Sequence, residues 1–74
     1  MTREEGIEAL AIITEGSISN SVVRKRILDE LSELKSIRGH FPAKGILADI
    51  QAHSDLKISE ETGLLIKEVC FNFV

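Results

Sequence analysis

The densest cluster of chemistry-bearing residues is the basic run Arg24-Lys25-Arg26. Clustered cations bind phosphates, and a helix carrying them after a turn such as Gly16-Ser17-Ile18-Ser19 would read as the second helix of a helix-turn-helix. The spacing works against that use. Three consecutive residues fan across about 200° of a helix, so they cannot all face one groove. Asp29 and Glu30 stand one turn on from Lys25 and Arg26 and neutralise them. With Gly16 as the turn glycine, a position that should brace the second helix with an apolar side chain is Lys25. A solvated helix face is the first reading. A DNA-binding regulator using residues 20–37, with Arg24, Lys25 and Arg26 on the nucleic acid, is the alternative.

The remaining constellations are sparser. Asp49 and His53 stand four apart with Asp55 close behind, but a closed metal site needs about four ligands. His53 near a helix end suits the negative pole of the helix dipole instead. Cys70 sits between Val69 and Phe71, which supply neither a base nor a polar setting, and reads as a small buried hydrophobe. In Gly39 to Gly45, Lys44 precedes Gly45 and Ile46 follows, so the Gly-Lys-Ser/Thr order of a phosphate loop is absent. Glu60 and Glu61 diverge by about 100° on a helix and suit its positive end. No catalytic residue, cofactor or metal is assigned, and an enzyme is not expected.

These residues belong to a chain of 74 residues with a net charge of −3, 43% hydrophobic and 28% charged. That length allows one domain, residues 1–74, of globular composition. The acidic balance argues against a general polyanion binder. With Cys70 as the sole cysteine, no disulfide can form within the chain, and a domain so small commonly gains stability by oligomerising. Residues 1–15 carry Glu4, Glu5 and Glu8 where a secretory leader would be basic, and no apolar run approaches the ~20 residues of a membrane span. A cytoplasmic location, without membrane contact, is expected.

Four helical segments must position these groups. Thr2-Arg3-Glu4-Glu5 has capping-box spacing ahead of a helix over 3–15, with Ile7, Leu10, Ala11 and Thr14 at helical steps and Ala9, Ile12 and Ile13 widening the apolar side. Ser19 or Asn20 caps a second helix reaching Ile37, striped by Val23, Ile27, Leu31 and Leu34. Gly39 suits a left-handed residue after it, and Pro42 the first turn of a third helix carrying Ala43, Ile46, Leu47 and Ile50. Phe41 is expected to anchor that loop to the core. Ser59-Glu60-Glu61 opens a fourth helix with Thr62, Leu65, Ile66, Val69, Cys70 and Phe73 on one side. Its β-branched and aromatic end, 69–74, could instead be extended, but the helical stripe runs through. Ile18-Ser19 and Ile58-Ser59 form a weak repeat, as two α-hairpins in tandem would. The stretch Phe41 to Phe73 resembles a histone fold in its order of a short helix, a loop and a longer helix. It departs in lacking room for the final helix and in lacking the basic surface, and no function is carried across.

The expected architecture is all-α, a compact four-helix arrangement of two α-hairpins. Apolar residues surround most of the fourth helix, and one core cannot hold them all. Leu64, Phe71 and Val74 are left over as an exposed patch, the kind that marks an interface. The expected function is a non-enzymatic protein-interaction module (an adaptor, assembly subunit or small regulator) acting as a helical homodimer or on another protein.

Overall fold

A computed structural model describes every residue from Met1 to Val74. The chain is 76% helical and has no strand. Its helices are α1 (Arg3–Ser17), α2 (Ser21–Ser36), α3 (Ala43–His53) and α4 (Glu60–Phe73).

Local chemistry sets most helix ends. The Thr2 hydroxyl accepts from the Glu5 amide at 3.1 Å, and the Glu5 carboxylate accepts from the Thr2 amide at 2.8 Å, a complete capping box. Asn20, not Ser19, caps α2, its side-chain oxygen accepting from the amides of Val22 and Val23. Ser59 caps α4 through the Thr62 amide. The final segment is helical to Phe73, because Val69, Phe73 and their neighbours pack on the core only at helical pitch.

Two ends differ from expectation. Helix α2 ends with Ile37 as its C-cap, close to the expected end, but Gly39, with φ of 125°, lies two residues past that cap and not directly after it. The guanidinium of Arg3 takes up the free carbonyls there, donating to Leu34 O at 2.7 Å and Ile37 O at 2.8 Å. Pro42 precedes the first turn of α3 instead of joining it. With φ −80° and ψ 58°, and with the Ala43 amide donating to Phe41 O at 2.8 Å, it makes an inverse γ-turn.

One core of aliphatic side chains joins the four helices. Ile7, Leu10 and Ile13 from α1 meet Ile27 and Leu31 from α2, Ile46, Leu47 and Ile50 from α3, and Val69 from α4. Helix α1 is the hub. It touches the other three, whereas α2 and α4 do not touch each other and α3 bridges them. The Arg3 bonds to the end of α2 show that α1 and α2 fold back as a hairpin. Gly6 near Phe73 and Gly16 near Thr62 show that α4 runs antiparallel to α1. The radius of gyration, 11.3 Å, equals the value expected for compact packing of this length.

A clasp ties the α1–α2 loop and the end of α1 to the α3–α4 loop. Asp55 accepts from the amide of Ser19 at 2.9 Å and from its hydroxyl, while the amides of Asp55 and Leu56 donate to Ser17 O at 3.0 and 3.1 Å. The two Ile-Ser dipeptides keep their places, each between a shorter helix and a longer one, but not their packing. Ile18 is fully buried beside this clasp, whereas Ile58 is exposed.

Candidate interaction surface

The basic run is drawn into the fold's own contacts. Arg24 turns back to donate to Ile18 O at 3.1 Å and Ser19 O at 3.3 Å. Lys25 pairs with Asp29 at 3.3 Å. Arg26 pairs with Glu30 at 3.1 Å and reaches across to α3, where it pairs with Asp49 at 3.1 Å. The three side chains diverge, as their spacing predicts. The α1–α2 pair folds back on itself, whereas a helix-turn-helix crosses at about 90–120°.

Asp49 and His53 do come together, with His53 Nδ1 3.3 Å from the Asp49 carboxylate and 3.0 Å from its backbone oxygen. Hydrogen bonding from Arg26 is the main cause that holds the Asp49 carboxyl below the usual carboxylate range. Asp55 lies in the loop clasp, and its bonds from Ser19 lower its pKa likewise. No three Asp, Glu, His or Cys side chains gather as a metal site would need.

Cys70 is half-buried against the core. Three surface depressions are present. Two adjoin along α1 and share Glu8 and Lys35, and the third follows the outer face of α2 around Lys25 and Arg26. None of them includes Cys70, His40 or His53.

The fourth helix carries the feature that its residues forecast. Phe71 is 91% exposed, and Leu64 and Val74 are each 55% exposed. Leu64 and Phe71 share one side of α4, and Val74, the C-cap whose amide donates to Cys70 O, continues that side at about 100° per residue, opposite the side where Thr62, Val69 and Phe73 meet the core. Phe41 shows what a placed aromatic looks like in this protein. It packs on the core, meets Phe73 edge-on at 5.0 Å, and has the Arg3 guanidinium 5.9 Å from its ring centre. Phe71 has no such aromatic or cationic neighbour. Other exposed apolar side chains are Val22 on α2 and Ile12 on α1, which stand among charged residues, and Met1, Ile37, Leu56 and Ile58, which lie outside the helices.

Sequence reasoning missed Arg3 and Gly6. Arg3 had one signal: a cation in the first turn of a helix opposes the dipole and needs another reason to be there. Gly6 had none beyond its being a glycine inside a helix.

No helix is long and apolar enough to cross a membrane. Compared with protein-family models, curated proteins and solved structures, the chain matches none.

Proposed function

We propose that this chain is a non-enzymatic protein-interaction module that self-associates as a homodimer through the outer face of α4. The observation that carries this reading is the exposure of Phe71 with Leu64 and Val74 on a helix side that no other element covers. A phenylalanine left in water forgoes the transfer free energy of burial, roughly 1.5–3 kcal/mol for a large apolar side chain. Scattered single apolar residues need no explanation, but three that share one helix face, one of them a nearly fully exposed phenylalanine, mark an interface. A two-fold pairing of identical patches is the commonest way to bury one. The cations of the alternative, Arg24, Lys25 and Arg26, are held by carbonyls and carboxylates, so the DNA-binding reading draws no support from their placement.

Sedimentation equilibrium at micromolar concentrations tests the proposal. Wild type is expected to be dimeric, and Phe71→Asp monomeric with an unchanged far-ultraviolet circular dichroism spectrum. A monomeric wild type, or a folded Phe71→Asp protein that stays dimeric, removes this face as the contact.

A further inference from the structure

Resting on that reading, we infer that the second copy's α4 lies antiparallel to the first, with Lys67 of each copy over the Phe71 ring of the other and Leu64 of each against Val74 of the other. The exposed side of α4 is a short heptad seam: Leu64, Lys67, Phe71 and Val74 follow steps of three, four and three, and all are exposed. The position of Lys67 decides the direction. In a parallel two-fold pair each seam residue meets its own copy, which would set one Lys67 ammonium against the other inside the contact. In an antiparallel pair the residue types cross over. A midpoint at position 69 sets Leu64 opposite Val74 and Lys67 opposite Phe71 at the same time. Val69 itself points into the core, so no seam side chain is lost at the midpoint.

That register joins complementary groups. The face of a phenylalanine ring is electron-rich and attracts an ammonium ion. Lys67 makes no ion pair within its own chain, and Phe71 has no cation on its ring. The lysine stem covers apolar surface while its head stays at the edge of the contact. Symmetry makes each such contact twice. Glu68 falls on the flank, where its carboxylate remains in water, and the high dielectric there weakens its repulsion from the second copy's Glu68. A single helix face is smaller than the ~800 Å² per partner of a standard interface, so the dimer is a reversible one.

Directional cross-linking tests the register. In a Cys70→Ser background, Leu64→Cys and Val74→Cys chains of distinguishable mass are mixed and mildly oxidised, after circular dichroism confirms that both are folded. The mixed disulfide is expected well above chance pairing. In this register the two Leu64 positions lie about 15 Å apart along the helix axis, too far for a disulfide between them. Dominant 64–64 and 74–74 disulfides, or chance proportions, overturn the antiparallel register while leaving a wild-type dimer intact. A monomeric wild type in sedimentation overturns the underlying reading as well. Lys67→Glu is expected to weaken the dimer about tenfold, with Lys67→Arg close to wild type. Equal affinity of Lys67→Glu and wild type shows that Lys67 does not meet the ring.

Discussion

Gly6 lies directly against the far edge of the Phe73 ring: a Cβ at Gly6 would stand 2.5 Å from Cε2 and 2.8 Å from Cζ of that ring. The same Cβ would stand 3.0 Å from the Phe41 ring. The edge-to-face pair of Phe41 and Phe73 therefore sits on bare backbone, and this close approach holds the end of α4 against the start of α1. Gly6→Ala gains helix propensity of about 0.5–1 kcal/mol but must displace Phe73 from its aromatic partner. The expected net effect is a loss of about 1–2 kcal/mol in urea unfolding. In a Phe73→Ala background the same substitution should cost less, because only the 3.0 Å approach to the Phe41 ring is left. Gly45→Ala provides the contrast. Nothing lies within 4 Å of its would-be Cβ, so it should stabilise by about 0.5–1 kcal/mol.

Leu31 is 2% exposed and lies at the middle of α2. Leu31→Ala removes a buried side chain where no chain end can relax into the space, and a loss of about 2–5 kcal/mol is expected. Val22→Ala, at 76% exposure on the same helix, should stay within about 0.5 kcal/mol of wild type. Equal effects of the two in denaturant titrations would mean that α2 presents a different face to the core.

Arg3 ends α2 from a distance by donating to Leu34 O and Ile37 O with separate guanidinium nitrogens. Lysine has a single head and cannot span both carbonyls in that fork. Arg3→Lys is expected to lose about 1–2 kcal/mol, and hydrogen exchange in the last turn of α2 should quicken more than in α3. Uniform acceleration across all four helices would mean that the clamp acts globally.

Asp55 links the α3–α4 loop to the α1–α2 loop, and its bonds from Ser19 hold its carboxyl below the usual range. Asp49 and Glu5 are lowered in the same sense, by Arg26 and Thr2 respectively. A carboxyl with a depressed folded-state pKa adds stability above its unfolded-state pKa, and that stability is lost as pH falls through the folded-state value. Melting temperature should therefore be flat from neutral pH to about pH 5 and fall below about pH 4. Asp55→Asn should melt lower than wild type at pH 7 and converge on it at pH 3. An unchanged gap at pH 3 would mean that the clasp depends on shape and not on charge.

Sequence alone determined what depends on neighbours one turn apart. The capping box at Thr2 and Glu5, the Ser59 cap, the Ala43–Ile50 stripe and the Lys25–Asp29 and Arg26–Glu30 pairs all span four residues or fewer along the chain, except the stripe, which repeats that step. Such interactions form in any helix of this sequence, whatever it packs on. The leftover apolar side of α4 was legible for a related reason. A helix apolar on most of its circumference cannot be covered by one core, so Phe71 had to point elsewhere. Only the tertiary structure decided what depends on residues distant in sequence. It placed Arg3 on the carbonyls ending α2, Asp55 on Ser19, Arg26 on Asp49 and Phe73 on Gly6. It also made α1 the hub and left Ile12 in water despite its apolar surroundings in sequence. These contacts follow from which helix faces meet and at what distance, and helical periodicity names the faces without naming their partners.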